Sequence, residues 1–251
     1  MGSYIENTMS LLKTVNMHHA AQALSELIEK SIEESQTCET FLEKILYTEI
    51  HGREKRKFEK RLKLASFPEY KTLDQFNLDE QETLSRRQFN QLKELSWLEK
   101  GFNLIFLGAP GVGKSHMSIG LGIEAINNGY KVKFISMADL IHTLKTQEIS
   151  SASRNLIKRI VDSDLVIIDD LMFMAMEKNE ANLFFQLVNK LYGQTSIIIT
   201  SNKGPEDWGE LLGDPAITTA ILDRLIHKCE IINIYDIDSY RMKHRQKIFN
   251  D

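Results

Sequence analysis

The sequence predicts an α/β fold: a three-layer αβα domain around a parallel five-stranded sheet, preceded by a small all-helical domain. From residue 103 onward, short and almost wholly apolar segments alternate with helical patterns, as in a parallel sheet covered on both faces. Before residue 67, only helical periodicity is found. We therefore assign 1–66 to a helical N-terminal domain and 67–251 to the α/β domain, with 67–79 as a connector.

The N-terminal segment carries two amphipathic stripes. Apolar residues recur at helical spacing from Leu11 to Ile28 and again from Phe41 to Ile50, with a polar break over 33–40. A basic stretch follows from His51 to Lys63, in which seven Lys and Arg stand against two Glu, an excess of five positive charges.

On a helix, much of this basic stretch clusters along one side, where it could neutralise DNA phosphates. The candidate DNA-binding residues are Arg53, Arg56, Lys57, Lys60, Arg61 and Lys63. A solvated helix face with pairs such as Glu59–Lys63 explains the same pattern, and the residues alone leave both interpretations open.

Pro68 ends the helical region, because the residue before a proline avoids the helical conformation. The connector contains the aromatic and apolar anchors Phe67, Tyr70, Leu73 and Phe76. A helix over 80–98 is predicted next. The predicted strands are 103–107, 131–135, 165–168, 196–200 and 230–234, and the predicted helices between and around them are 114–127, 138–144, 155–161, 180–192, 206–211 and 217–227.

A phosphate-binding loop is predicted where the first strand meets its helix. Its residues are Gly108, Ala109, Pro110, Gly111, Val112, Gly113, Lys114 and Ser115, and we include the adjacent His116 among the nucleotide-binding residues. The glycines let backbone N–H groups approach phosphate oxygens, Lys114 can reach the β- and γ-phosphates, and Ser115 can bind Mg²⁺. A plain glycine-rich turn is a poor alternative, because all eight positions fit in the required strand–loop–helix context.

The third and fourth strands end in polar residues that belong at the same edge of the sheet. Asp169 fits the role of a Mg²⁺ ligand and Asp170 that of a water-orienting carboxylate, although acidic residues also end ordinary strands. Asn202 could face the γ-phosphate or simply form a turn. The run from Asn202 to Pro205 lacks the Asp of a guanine-reading motif, which argues against GTP.

Arg224 lies on the helix beyond the fourth strand. An arginine from a neighbouring subunit can stabilise a transferring phosphoryl group, but a surface pair with Asp223 is the simpler interpretation of these residues alone.

Composition sets broad limits on function. The chain has 251 residues, a net charge of −4 and two distant cysteines, which fit a reducing compartment and no disulfide framework. It has no apolar run long enough to cross a membrane and no secretory signal pattern at its start, so we expect a cytoplasmic protein with no membrane partner.

Taken together, these segments resemble a known family. The phrases FPEYKTLDQF, GAPGVGKSHMSIGLG, NLFFQLVNKLYG, SIIITSNKGPEDWGELLGDP, AILDRLIHKCEII and DSYRMK span about Phe67 to Lys243. They are similar to the IstB-like ATP-binding proteins of insertion sequences, which are AAA+ ATPases close to the DnaC helicase loaders.

The resemblance implies an AAA+ ATPase domain that uses ATP and Mg²⁺, forms an ATP-dependent homo-oligomer on duplex DNA, and helps a cognate transposase in target-site selection and activation. It implies catalytic roles for Lys114, Asp170, Asn202 and Arg224, with Arg224 acting in trans, and a nucleotide contact for Arg241. It also favours DNA contact by the basic stretch. A DnaC-like loader of a replicative helicase and a nucleotide-dependent scaffold with negligible hydrolysis remain as alternatives.

One position departs from the pattern. IstB-like and DnaC-like chains usually carry Asp-Glu where this chain has Asp169 and Asp170, although the DnaA initiators also have two aspartates. An Asp places its carboxylate about 1.5 Å further back than a Glu, and such displacements can slow a reaction. We therefore expect slow, switch-like ATP hydrolysis.

Overall fold

The computed structural model describes residues 2–78, 84–171, 176–211 and 214–234. The chain divides into two compact units, Met1–Lys60 and Arg61–Asp251. The boundary predicted from the sequence, between residues 66 and 67, falls just after the end of the third helix.

The first unit consists of helices rather than strands. Helix α1 spans Gly2–Thr14, α2 spans His18–Glu33, and α3 begins in this unit and spans Cys38–Ala65. The sequence predicted one long stripe where the structure has α1 and α2. Periodicity missed the break because it lies at Asn16, whose φ of 61° turns the chain within a few residues. Buried Ala20, Leu24 and Ile45 form the small core of this unit.

Two side chains of α3 hold the turn between α1 and α2. Glu49 is 4% exposed, and its Oε2 accepts the N–H groups of His19 at 2.8 Å and Ala20 at 2.9 Å, which caps the start of α2. Arg53 donates from Nε to Glu49 Oε1 at 2.7 Å and from Nη2 to the carbonyl oxygen of Asn16 at 2.7 Å. The pair therefore satisfies backbone groups at the end of one helix and the start of the next.

The second unit is built on a sheet of five parallel strands, as the sequence predicted. The strands are β1 (Asn103–Gly108), β2 (Val132–Ser136), β3 (Leu165–Asp169), β4 (Ser196–Ser201) and β5 (Cys229–Ile234). Their order across the sheet is β2-β3-β4-β1-β5. Because the strands are parallel, the ends of β1, β3 and β4 share one edge, where the polar residues follow them.

Helices cover both faces of this sheet. They are α4 (Arg86–Lys93), α5 (Ser96–Glu99), α6 (Lys114–Asn127), α7 (Met137–Thr146), α8 (Ser151–Val161), α9 (Lys178–Leu191), α10 (Trp208–Leu211) and α11 (Pro215–Ile226). Helix α6 packs on one face, against the four strands β1 to β4. Helices α7, α8, α9 and α11 bury the other face in a single apolar cluster with alternate residues of those strands.

Two predicted helices are interrupted. The helix predicted over 80–98 is divided into α4 and α5 by Leu95, which has a φ of 59°, and residues 79–83 lie outside the described part of the chain. The helix predicted over 206–211 begins as a 3-10 turn over Pro205–Asp207 before α10. Both interruptions are local backbone features that apolar periodicity does not detect.

The connector, which belongs to the second unit, packs on the rest of that unit through three of its four predicted anchors. Phe67 meets Phe134 edge-on, with ring centroids 6.0 Å apart, and Leu73 is 4% exposed within a 3-10 turn over Leu73–Gln75. Phe76 stacks on Phe89. The prediction was wrong for Tyr70, whose side chain is 57% exposed.

The two cysteines have different surroundings. Cys38, the first residue of α3, is exposed. Cys229 begins β5, and burial together with the nearby charge of Glu230 raises the pKa of its thiol to about 12. Among the residues described here, no helix combines the length and apolar character needed to cross a membrane.

Candidate nucleotide-binding site

The loop between β1 and α6 needs two of its glycines for clear steric reasons. Gly113 precedes α6 with a φ of 101°, a conformation that residues with a Cβ rarely adopt. At Gly108, a Cβ would lie 2.3 Å from the carbonyl oxygen of Ile234 on β5. These positions let the backbone turn tightly beside the sheet and lead directly into the N-terminus of α6, whose N–H groups favour an anion.

Lys114 lies over this loop. Its side chain is folded back so that Nζ donates to the carbonyl oxygens of Gly108 at 2.7 Å and Ala109 at 2.9 Å, and the residue is 7% exposed. The ammonium group is thereby held against the first carbonyls of the loop, which is expected to bind phosphate.

Ser115 and Asp169 approach each other across the end of the sheet. The Ser115 hydroxyl donates to Asp169 Oδ1 at 2.9 Å, and its Oγ lies 3.1 Å from Oδ2. A hydroxyl and a carboxylate are hard oxygen ligands, and Mg²⁺ typically takes one or two such protein ligands together with waters and substrate phosphates. The described residues contain no group of three or more His, Cys, Asp or Glu that could hold a metal. This sparse oxygen pair fits Mg²⁺ rather than a metal that needs an all-protein cage.

Thr200 on β4 joins the two aspartates. It is completely buried, its hydroxyl donates to Asp169 Oδ1 at 2.6 Å, and it accepts the backbone N–H of Asp170 at 2.9 Å. From the sequence, the polar end of this strand was expected to act through Asn202. The available signal was a hydroxyl residue at the end of an otherwise apolar strand.

Asn202 follows β4 immediately and its side chain is exposed at the same edge of the sheet. Asp170 is exposed too, with a φ of 55° in the left-handed region. Asp and Asn adopt that region more readily than longer side chains do. The backbone at position 170 therefore favours the short aspartate found there.

Burial disfavours the charged form of Asp169 and raises the pKa of its carboxyl above the ordinary value. The hydrogen bonds from Thr200 and Ser115 oppose this effect, the negative charge of Asp170 adds to it, and the ammonium of Lys114 opposes it. A cation beside the carboxylate would supply the compensation that the protein lacks.

His116 connects α6 to the connector. Its Nε2 lies 2.9 Å from the carbonyl oxygen of Thr72, and its ring meets Phe76 edge-on at 5.3 Å. The structure thus places His116 beside the connector.

Arg224 lies far from its own phosphate loop. The carbonyl oxygen of Leu225, its neighbour, accepts from the side chain of Asn103, the first residue of β1, at 2.9 Å. The phosphate loop begins after the last residue of β1, roughly 17 Å further along at about 3.3 Å per residue. Nor does Arg224 form an ion pair with Asp223 within the described residues; its guanidinium contacts Asn189, Ala220 and Phe185 instead.

The predicted DNA-binding residues all lie on α3. Arg56, Lys57, Lys60 and Lys63 are exposed, Arg61 is half-buried with its guanidinium near Gly129, and Arg53 makes the contacts to Glu49 and Asn16 described above. Arg241, the predicted nucleotide contact, lies outside the described residues.

The fold and the site define a class. A phosphate loop follows β1, a buried hydroxyl lies on the adjacent strand β4, and an aspartate ends the next strand, β3. Together they form an ATP-binding P-loop domain of the AAA+ type. DnaA from Aquifex aeolicus bound to AMPPCP superposes with a TM-score of 0.54 and 25% identity, covering 70% of this chain and 53% of that one. The chain thus spans about half the length of that DnaA. The DnaC helicase loader superposes with a TM-score of 0.50 at 22% identity over 63% of this chain and 96% of that one, which shows the shared fold.

The family profile described as IstB-like ATP binding protein matches residues 10–248. The ATP-binding protein of insertion sequence IS21 from Pseudomonas aeruginosa is 38% identical over 237 residues, which cover 94% of this chain and 89% of that protein. An IS21-like ATP-binding protein from Bacteroides fragilis is 38% identical over 241 residues, covering 96% and 90%. This chain belongs to the IstB-like ATP-binding proteins.

Proposed function

We propose that this protein is a slow, Mg²⁺-dependent ATPase that assembles into a homo-oligomer on duplex DNA and assists the transposase of its insertion sequence in selecting and activating target sites. The proposal rests most directly on the cluster of Ser115, Asp169, Thr200 and Asp170, which gathers oxygen ligands and a carboxylate at the end of the phosphate loop. Transposition is favoured over helicase loading because the relatives with the highest identity quoted above are insertion-sequence proteins, whereas the likeness to the helicase loader supports the fold alone.

Each residue of the cluster has a distinct part in this proposal. Ser115 and Asp169 would hold Mg²⁺, which when bound neutralises charge on the β- and γ-phosphates. Lys114 contacts the same phosphates after leaving the carbonyls of Gly108 and Ala109. Asp170 orients the attacking water, Thr200 fixes the carboxylate of Asp169 and the backbone of Asp170, and Asn202 faces the γ-phosphate from the position just after β4.

The position of Arg224 supports hydrolysis between subunits. Arg224 lies near the residues where the strands begin, whereas the phosphate loop follows the last residue of β1. The two ends of that strand are roughly 17 Å apart at the rise of a β-strand, which is too far for an arginine side chain to span. If Arg224 stabilises the transferring phosphoryl group, the nucleotide must therefore be one held by another copy of the chain. This supports an oligomer in which each site is completed by its neighbour.

A mixing experiment tests this proposal. Lys114→Ala should lose ATP binding but still supply Arg224, and Arg224→Ala should bind ATP but hydrolyse it poorly. Fingers of this kind are worth roughly 10³–10⁵ in turnover. Mixed assemblies, verified by copurification of differently tagged chains, should recover part of the phosphate release on duplex DNA. Lys158→Ala, which removes an exposed lysine from α8, is the control for loss of a positive charge.

Verified co-assembly with no recovery at any ratio would contradict action in trans. Unchanged ATP affinity in folded Lys114→Ala would contradict the nucleotide site itself. Wild-type phosphate release that does not depend on Mg²⁺ would contradict the assignment of Ser115 and Asp169.

A further inference from the structure

Arg224 is held in place by contacts from the neighbouring helix α9 and from its own helix. Its Nε donates to Asn189 Oδ1 at 3.0 Å, and its Nη1 donates to the carbonyl oxygen of Ala220, one turn earlier in α11, at 2.8 Å. The guanidinium carbon lies 4.9 Å from the centre of the Phe185 ring. Asn189 and Phe185 are one turn apart on α9, so they present a hydrogen-bond acceptor and an aromatic face to the same group.

These contacts orient the guanidinium without neutralising it. A guanidinium has five N–H donors, of which Asn189 and Ala220 accept two. Both acceptors are uncharged, and within the described residues Arg224 forms no ion pair. The side chain therefore keeps its full charge and further donors for an external anion.

The surroundings of Arg224 are also cationic. It lines a hollow of about 200 Å³ at the end of the sheet opposite the phosphate loop, together with Lys100 and Lys228. Among the described residues, those that line this hollow include no Asp or Glu. A phosphate that entered this hollow would meet the positive charges of Arg224 and the two lysines.

We propose that Asn189 and Phe185 are positioning residues that hold Arg224 ready for the nucleotide of a neighbouring copy. An unrestrained arginine has several rotatable bonds and would have to be ordered during each reaction cycle. Holding it beforehand places its charge where charge develops in the transition state. This inference rests on the proposed action of Arg224 in trans.

The inference predicts a kinetic effect without a binding effect. Asn189→Ala should lower kcat for ATP hydrolysis by roughly 10- to 100-fold, as expected when a catalytic group is displaced by about 1 Å. It should leave ATP affinity and thermal stability unchanged, because Asn189 is exposed and far from the phosphate loop. Phe185→Leu keeps an apolar side chain and should lose roughly two- to fivefold, the effect of one exposed cation–π contact. Gln186→Ala, an exposed amide on the same helix, is the matched control.

The placement of Asn189→Ala in mixed assemblies gives the decisive test. In mixtures of Lys114→Ala and Arg224→Ala chains, recovered activity depends on Arg224 of the first chain acting on the nucleotide of the second. Asn189→Ala should therefore abolish most of the recovery when it is added to the Lys114→Ala chain, and should have no effect when it is added to the Arg224→Ala chain.

The possible outcomes separate this inference from the proposed function. Equal recovery in both placements overturns the positioning role while action in trans stands. Equal loss in both placements also overturns it, because the effect would then be general damage. Absence of recovery in the starting mixture contradicts action in trans, and the positioning role falls with it.

Discussion

Asp169 is a carboxylate in a place that is unfavourable to its charge. Burial raises its pKa, and the hydroxyl donors Thr200 and Ser115 only partly oppose the effect. A buried carboxylate of this kind lowers the stability of the ligand-free protein, and a cation bound beside it offsets that cost.

Asp169→Asn should therefore separate stability from function. The amide removes the buried charge while keeping an acceptor for Thr200, so we expect the free energy of unfolding without ligands to rise by up to about 1 kcal/mol. That change corresponds to roughly 2–4 °C in Tm for a domain of this size. Thermal unfolding with ATP, with and without Mg²⁺, is the measurement; the extra Mg²⁺-dependent stabilisation of the wild type should be absent. If the variant unfolds at a lower temperature than the wild type without ligands, and Mg²⁺ still stabilises it in the presence of ATP, Asp169 is not the Mg²⁺ ligand.

The left-handed backbone at Asp170 leads to a second prediction. Asp170→Asn should fold and bind ATP as the wild type does, since Asn suits this conformation equally well, but should hydrolyse ATP more slowly. Asp170→Glu lengthens the side chain by one methylene and should lose about 1 kcal/mol of stability, because a longer side chain gains no local compensation at φ of 55°. Tm measurements compare these variants with Asp162→Glu, a change at a negative φ of −82°. Equal losses at both positions would argue against backbone conformation as the reason for the short side chain.

At the scale of helices, Glu49 stabilises the first unit from within α3. Burial raises its pKa, but the N–H of Ala20, the guanidinium of Arg53 and the N–H of His19 together outweigh this effect and hold the pKa below the ordinary 4.5. A carboxyl whose pKa is lowered by folding contributes stability above its ordinary pKa and loses that contribution as the pH falls through the lowered value.

Glu49→Gln should consequently loosen the turn between α1 and α2. Charge-assisted hydrogen bonds of this kind contribute roughly 1.5–3 kcal/mol. Amide hydrogen exchange at His19 and Ala20 should be about 10- to 100-fold faster than in the wild type at pH 7, since 1.4 kcal/mol is a factor of ten. The difference should shrink below pH 4.5 as the wild-type carboxylate is protonated. Glu43→Gln, an exposed change on the same helix, should have no effect; matching protection in both variants would contradict the capping role.

At the scale of the whole molecule, the contacts of Arg53 decide how DNA binding should be tested. Replacing Arg53 would disturb the first unit, whereas Lys57 and Lys60 are exposed on α3. If both lysines contact phosphates, Lys57→Gln with Lys60→Gln should weaken duplex binding on many sequences alike and flatten the salt dependence by roughly 1.8 in the log–log slope, at about 0.9 per phosphate. Lys13→Gln with Lys30→Gln removes the same charge from exposed positions on α1 and α2, outside the basic stretch. An identical slope for the wild type and both double variants would mean that the basic face of α3 is only solvated.

The sequence predicts the α/β domain well because its signals are local and redundant. Each parallel strand is a short apolar run between helical segments, and the phosphate loop has its required neighbours on both sides. The sequence alone does not predict which residues that are far apart in the chain come into contact. Thr200 joins Asp169 only because β3 and β4 lie side by side, and Arg224 is separated from its own phosphate loop only because α11 ends at the opposite edge of the sheet.

Backbone exceptions were equally hidden from the sequence. Asn16, Leu95 and Asp170 each have a positive φ without being glycine. The first separates α1 from α2, the second separates α4 from α5, and the third sets the backbone conformation just after β3. The partner of a charged residue is also difficult to predict from the sequence. The position of Arg53 in the basic stretch suggested contact with DNA, and in the structure its side chain bonds to Glu49 and to the carbonyl oxygen of Asn16.

The contrast between the two cysteines has a practical consequence. A thiol reacts with maleimides as its thiolate, so Cys229, with a pKa of about 12, should stay unmodified at neutral pH while exposed Cys38 reacts. The natural chain therefore already carries a selective attachment point at the first residue of α3. A single fluorophore can be placed at the head of the helix that bears the basic residues, and duplex binding can then be followed in solution without altering a single amino acid.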